Sequence, residues 1–433
     1  MNNYITPEDF GARADGVFDS APALQAAIDN AITTGRDLRL RPGVYRCASQ
    51  LDAVLGDSKK ISIIGVGGNQ GAAANPQGGS TFLFNGATGG LSISTVAGST
   101  TGSLSSRSYY HLEGFQISGS IINGIGLEIG RNNQQIDTFA LINNVSDVVV
   151  HGNWLDCIRL TNARQFSASN SMFYNSGNQS AATAMRIVCD APSPGKFCGD
   201  LHMVGCNLFA NPAVAFTKGI LIEANNGDIA GLHFSDTIIY EGVVGVYYFS
   251  TNGGRIYDTW FTSCAIDGPG SITNPLSRGV VLDMTATGLF INNTNITNLY
   301  CVGKYEAINL NQAVGTGIIR FTNISNGYFG PCAGPGVTVN NTGNLKIRGT
   351  SFENCSNVTA NAPILLAGAV YGTHITDNVV SGNYSPNIVR VQAGATLSAS
   401  VVRNNIGDIT TTTPVDSTGA TVTNSSIGDN LVF

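Results

Sequence analysis

A short unit recurs along most of this chain, and a recurrence of that kind restricts the fold more than any other feature. It reads apolar, variable, small or Asn/Asp/Gly, small polar, variable, apolar. Its instances are LEGFQI starting at Leu112, VHGNWL at Val150, ASNSMF at Ala168, VGCNLF at Val204, FSDTII at Phe234 and IYDTWF at Ile256. The series continues with INNTNI at Ile291, ISNGYF at Ile324, IRGTSF at Ile347, ITDNVV at Ile375 and a degraded VRNNIG at Val402. From Leu112 to Val402 is 290 residues in ten steps, a mean of 29, with single steps from 18 to 38. Residues such as Asn, Asp and Gly accept left-handed backbone angles, so each unit predicts a strand, a tight corner and a second strand.

The same coils carry a second signature. It appears as GLEIG at Gly126, CIRLT at Cys157, AMRIV at Ala184, GILIE at Gly219, GVYYF at Gly245, GVVLD at Gly279, AINLN at Ala307 and GVTVN at Gly336. Alternation with period two turns the first and third residues after the leading small one inward and the intervening ones outward. Fixed strands and corners with loops of uneven length predict an all-β parallel solenoid over residues 51–407. A β-propeller or β-sandwich explains neither feature.

Residues 1–50 read as a cap for the open end of such a solenoid. Asp19 or Ser20 can N-cap a helix, Pro22 suits its first turn, and Ala23, Leu24, Ala27, Ile28 and Ala31 form an apolar stripe up to Gly35. LRLRPGVYR then reads as a strand broken by a turn. Residues 408–433 are polar and Thr-rich, and are expected to be a C-terminal cap or a subunit-pairing tail.

DFGARADGVFDSAPALQAAI followed by LRPGVY resembles the entry motif of pectate-lyase-like β-helix proteins, among them polygalacturonase relatives and bacteriophage tailspikes or capsule depolymerases. The resemblance covers about the first tenth of the chain. It implies a right-handed parallel β-helix with a short N-terminal capping helix, and, since phage spikes of this family are trimers, a homotrimer. It carries no catalytic residue across. The polygalacturonase motifs and the calcium and arginine motifs of pectate lyases have no counterpart here.

Composition narrows the partners. The formal net charge is −6 and no Lys/Arg cluster exists, which removes the counterion-release drive for nucleic-acid binding. No apolar run is long enough to span a bilayer, so no membrane insertion is expected. The start at Met1 lacks the basic and apolar regions of a signal peptide. Nine cysteines, none in CxxC pairs, predict neither a zinc site nor a disulfide framework, although Cys189 and Cys198 bracket a loop they could close. No cofactor or metal is expected.

Low charge, abundant polar turns and a long presenting face suit a bacterial surface polysaccharide, met on a virion tail or outside the cell. Of the outward residues in the second signature, Glu223 and Asp283 fall in one column two coils apart, with backbones roughly 10 Å apart. That is near the carboxyl separation of inverting glycosidases. Tyr247 and Phe249 between them could stack on a sugar, with Arg186 and Asn309 as polar handles. These two acids could equally do no more than solubilise a strand edge. A second cluster reads as Glu113 and His151 in one outward column, near Glu128, Asp156 and Arg159, and could be an ion-pair ladder. Asp267, in the loop AIDGPGSITNPLSR, is a further candidate. Asp236, Asp258 and Asp377 occupy corner positions and are expected to bond turn backbone. Arg278 and Glu306 are expected to pair. An endoglycosidase leads the functional readings; a lyase on an acidic glycan and a non-catalytic glycan-binding adhesin are the alternatives.

Overall fold

The computed structural model describes residues 3–56, 58–67, 79–95, 108–130, 143–190, 197–268, 274–284, 288–313, 317–359, 361–382 and 386–432. Apart from the helix Ala21–Thr34 and a single 3-10 turn at Pro7–Phe10, its regular structure is all strand. Every strand pairing recorded is parallel, the arrangement expected when a chain winds in one direction and each coil bonds to the next.

The chain forms two compact units, Met1–Ile220 and Leu221–Phe433. In the first, one face pairs Tyr4–Ile5, Asp37–Arg39, Lys60–Ile64, Tyr109–Glu113, Asn144–Ser146, Ser167–Ser169 and Phe197–Val204 in that order. The ladder therefore starts inside residues 1–50, not after them. The helix bears on this face and on its neighbour, burying Ala21, Leu24, Ala27, Ile28, Ala31 and Ile32. Asp19 Oδ1 accepts from the Ala21 N–H at 3.2 Å, and Gly35 at φ 68° closes the last turn.

In the second unit the described strands form one short sheet, Ala369–Tyr371, Thr396–Ser398 and Thr421–Thr423, and three long faces. One pairs Asp228–Ser235, Arg255–Thr262, Phe290–Thr297, Ile318–Ser325, Lys346–Arg348, His374–Thr376, Val401–Arg403 and Ser426–Gly428. A second pairs Val244–Thr251, Arg278–Met284, Glu306–Gln312, Val337–Asn340, Ile364–Ala367, Val389–Val391 and Val415–Asp416. A third runs from Ile238–Tyr240 to Leu431–Val432. Within 408–433, expected to be a C-terminal cap or a subunit-pairing tail, the strands Val415–Asp416, Thr421–Thr423, Ser426–Gly428 and Leu431–Val432 pair with those of the coil before.

The corner is a single left-handed residue joining the first face to the third. It is Gly114, Asp147, Asn170 and Gly205 in the first unit, and Asp236, Ser263, Asn298, Asn326, Gly349, Asp377 and Asn404 in the second. Side chains just beyond it explain the small polar position of the repeat. Ser171 Oγ donates to the Ser169 carbonyl at 2.9 Å, which also accepts the Asp147 N–H of the preceding coil. Thr237 Oγ1 donates to the Ser235 carbonyl at 3.0 Å, so these side chains bridge back across the turn. Farther along, Asn378 Nδ2 donates to Asn405 Oδ1 at 2.9 Å, and Asn405 to Asn430 at 2.9 Å, an internal amide stack.

Three of the repeat units prove to lie elsewhere. Gly152, Asp258 and Asn293 also have positive φ, but inside the strands Val149–Thr161, Arg255–Thr262 and Phe290–Thr297, where the chain bends within a face. Both positions demand left-handed residues, so composition does not separate them. Asp236, Asp258 and Asp377 are all left-handed, but Asp258 is not at a corner. The bonds recorded for Asp258 and Asp377 go to the side chains of Asn293, Asn404 and Arg348, and not to turn backbone as expected.

The leading small residue of the second signature also has a cause. A Cβ on Gly245 would stand 2.6 Å from the Gly279 carbonyl, and one on Gly279 2.5 Å from Cys301 Sγ. All nine cysteines are free and buried, including Cys189 and Cys198, and residues 191–196 between those two lie outside the described set. Burial raises the thiols of Cys47, Cys157, Cys198, Cys206, Cys264 and Cys301, which disqualifies them as nucleophiles near neutral pH.

Lys304 in the second unit is 0% exposed, its ammonium donating to the carbonyls of Glu241 and Gly242. Burial draws its pKa down from 10.5 to about 8, with Cys301, Asp267 and Glu241 pulling the other way. Between those values the unfolded chain holds the proton that the folded chain has released. Stability should therefore rise with pH across that window, by up to about 3 kcal/mol, and the gain should be absent below pH 8. Urea unfolding of the wild type and of Lys304→Met at pH 7 and pH 10.5 isolates the effect; equal pH dependence in the two would contradict it.

Candidate functional site

On the second face of the second unit the outward residues fall into two columns, and register assigns each position. Tyr247, Val281, Asn309 and Thr338 are mutual partners on successive strands. So are Phe249, Asp283, Asn311 and Asn340. Glu223 lies on the strand Lys218–Asn225. Asn225 Oδ1 accepts from Thr251 Oγ1 at 3.3 Å, and the Asn226 N–H donates to the Thr251 carbonyl. This aligns residue 225 with 251, and hence Glu223 with Phe249. The second column reads Glu223, Phe249, Asp283, Asn311, Asn340, with an aromatic ring set between two carboxylates.

Glu223, Phe249 and Asp283 are each half-buried, while their immediate neighbours Ile222, Ala224, Tyr248, Ser250, Leu282 and Met284 are buried. Tyr247 donates its phenol hydroxyl to Asp283 Oδ2, reaching diagonally to the next strand. Val243 and Val244 fold over Val281 and the Tyr247 ring, so part of this outward column is covered. Burial, and then the bond to Asp283, push the Tyr247 phenol well above its ordinary value. It remains protonated at any neutral pH, a donor to Asp283 and not a base. Tyr247 and Phe249 rings lie 6.0 Å apart at 27°.

Next along the face is a cleft of about 350 Å³ lined by Arg278, Asn309, Asn311, Thr338, Asn340 and Leu365 with neighbouring residues. Glu306, a nearly buried carboxylate, contacts three of these lining residues. It takes Arg278 Nε at 2.9 Å, Asn309 Nδ2 at 2.8 Å and Thr338 Oγ1 at 3.0 Å. The expected Arg278–Glu306 pair is present.

The remaining candidates are distributed differently from the sequence reading. Arg186 belongs to the first unit, on Thr183–Cys189, in register with Arg159 and, one strand farther, Glu128. Asp156, 0% exposed, accepts from Arg159 Nε at 2.6 Å and Thr183 Oγ1 at 2.6 Å. The expectation that Glu113 and His151 share a column is wrong. The corner beside Gly114 is Asp147, not Gly152, so Glu113 pairs with Ser146 on one face while His151 pairs with Ser118 on another. Glu113 instead meets His111 Nε2 at 2.8 Å. His151 is buried, and desolvation lowers its pKa. Asp267 is exposed, but it ends the strand Ala265–Asp267 and does not overhang from the loop; residues 269–273 lie outside the described set.

Two features escaped sequence reasoning. A cleft of about 530 Å³ in the first unit is lined by Gly86, Gly89, Gly90, Ser92, Asn123 and Glu128 among others, and the glycine-rich turn GATGG was its signal. His233 and Trp260 stack at 4.3 Å on the outward side of the first face, as the alternation in LHFS and TWFT would have indicated. Among the described residues no three or more His, Cys, Asp or Glu side chains gather as metal ligands would, and no helix is long and apolar enough to cross a membrane.

No family model and no curated protein matches the chain. Solved structures do. The tailspike protein gp49 from Pseudomonas phage LKA1 is similar over 99% of this chain and 82% of its own, at 13% identity and a TM-score of 0.51. Tailspike protein 3 of bacteriophage CBA120 is similar over 99% of this chain and 62% of its own, at 13% identity and 0.48. The catalytic unit of a GH87 alpha-1,3-glucanase from Streptomyces thermodiastaticus is similar over 99% and 69%, at 11% identity and 0.44. What the likeness to gp49 and the parallel coils together establish is the fold: a right-handed parallel β-helix.

Proposed function

We propose that the chain is a tailspike-like depolymerase, an endoglycosidase that cuts a bacterial capsule, O-antigen or exopolysaccharide chain. The observation that carries this reading is the Glu223, Phe249, Asp283 ladder with Tyr247 bonded to Asp283. Two carboxylates separated by two strand spacings stand roughly 10 Å apart at the backbone, close to the separation of about 6.5–9.5 Å at which inverting glycosidases hold a water between base and sugar. Tyr247 holds one oxygen of Asp283, and in this reading the Asp283 carboxylate accepts a proton from water. That water adds to the anomeric carbon as the glycosidic C–O bond breaks, and Glu223 delivers its proton to the departing oxygen. Phe249 supplies the sugar a ring to lie against.

A place on a virion tail or outside the cell, and assembly as a homotrimer, belong to the same proposal; the fold shared with a phage tailspike supports them. Light scattering that returned the single-chain mass of 45.1 kDa would remove the trimer. The activity itself is tested by incubating the protein with a panel of bacterial surface polysaccharides, following reducing ends and unsaturated-uronate absorbance. Reducing ends alone are expected. Both signals together would mean a lyase, and binding without either an adhesin.

A further inference from the structure

We infer that the cleft beside Asp283 is a subsite for a neutral sugar bearing an acetamido group. The inference rests on the depolymerase reading for its place in the site, and on the cleft's own chemistry for the ligand.

Charge comes first. On this face of the second unit the cations on the strands are Arg278 and Arg390. Arg278 is held by Glu306 at 2.9 Å and Arg390 by Asp416 at 3.5 Å. Both arginines are thus already matched by a carboxylate. A uronate laid in the cleft would find the guanidinium there, Arg278, already neutralised by Glu306. The face suits an uncharged glycan.

Hydrogen bonding narrows the class. Asn309 is 6% exposed and lines the cleft. Its Nδ2 is committed to Glu306, and that bond fixes which way the amide points. Its Oδ1 has no partner. A buried acceptor left unmatched is costly, so it calls for a donor from a ligand. An acetamido N–H is such a donor.

The same cleft provides for the rest of that group. Leu365 and Ala367, half-buried, follow Thr338 and Asn340 on the next strand and offer an apolar step for a methyl. Asn340 and Gln392 bring side-chain amides that can donate to its carbonyl. A plain hydroxyl would satisfy Asn309 but leave the apolar step without contact.

The test is calorimetric titration of the full chain with triacetylchitotriose, cellotriose and trigalacturonate. Triacetylchitotriose should bind at least roughly tenfold tighter than cellotriose, the scale of one matched buried polar group, and trigalacturonate should not bind. Asn309→Ala and Leu365→Ser should each erase the preference for the acetylated trimer. Melting temperatures confirm that the variants fold, and Leu365→Ser leaves the Glu306 network untouched should Asn309→Ala disturb it. Equal affinity for the two neutral trimers, binding of none, or a preference that survives both substitutions overturns the inference. Failure of the depolymerase reading shows separately, in the reducing-end assay.

Discussion

Glu223→Gln and Asp283→Asn should each lower turnover of the cleaved polysaccharide by at least about 100-fold, the loss expected when a general acid or base is removed. Both substitutions preserve shape, and both side chains face outward from strands whose inward neighbours, Ile222, Ala224, Leu282 and Met284, carry the packing. Melting temperature should therefore stay within a degree or two of wild type, since partly exposed charges contribute little to folding. Phe249→Ala should show a different pattern, raising KM more than it lowers kcat, because a stacking surface binds without taking part in proton transfer. Initial rates of reducing-end release, measured over a range of substrate concentrations, separate these outcomes. Near-normal turnover in both carboxylate variants would place the chemistry elsewhere.

Asp156→Ala should destabilise the first unit by about 3–5 kcal/mol, the cost of stripping one partner from a buried ion pair. The carboxylate is wholly enclosed and bonded to both Arg159 and Thr183, so its loss leaves the Arg159 guanidinium short of a counter-charge. Replacing both members, Asp156→Ala with Arg159→Met, should recover much of the loss, since no unpaired charge then remains. Urea midpoints of the single and double variants read this directly. The same variants decide what the Glu128, Arg159 and Arg186 column does. An ion-pair ladder predicts that the double variant, once folded, keeps its turnover. If turnover vanishes while the fold survives, catalysis belongs to the first unit and the Glu223–Asp283 assignment fails.

The second signature was fully legible because alternation with period two fixes both register and side: Glu128 opposite Arg159, and Phe249 opposite Asp283, follow from counting. The corner was legible only in part. Ser263 takes the left-handed angle that Asp and Asn usually take, so its coil was missed, whereas Gly152 takes that angle for a bend inside a strand and was mistaken for a corner. One such slip moved His151 onto the wrong face. The Tyr247–Asp283 bond was not legible at all, because it runs diagonally between strands and depends on where Val243 and Val244 fold. Nor was the unmatched Asn309 oxygen, which exists only because Glu306 has claimed the other end of the amide.

The glycines that open the strands Val244–Thr251 and Arg278–Met284 have a bearing on how such a protein can diversify. Gly245 and Gly279 touch backbone and core of the next coil and leave no room for a methyl. The outward neighbours of these strands, from Tyr247 to Asp283, make no comparable demand on the chain beneath them. Substitutions should thus be purged at the glycines and tolerated more readily in the columns, where a change at Tyr247 or Asp283 asks its bonded partner on the next coil, and not the core, to change with it. A lineage pressed by a changing cell-surface glycan could then rewrite its specificity one coil at a time, and the deepest sequence divergence between relatives should lie beside the most invariant glycines.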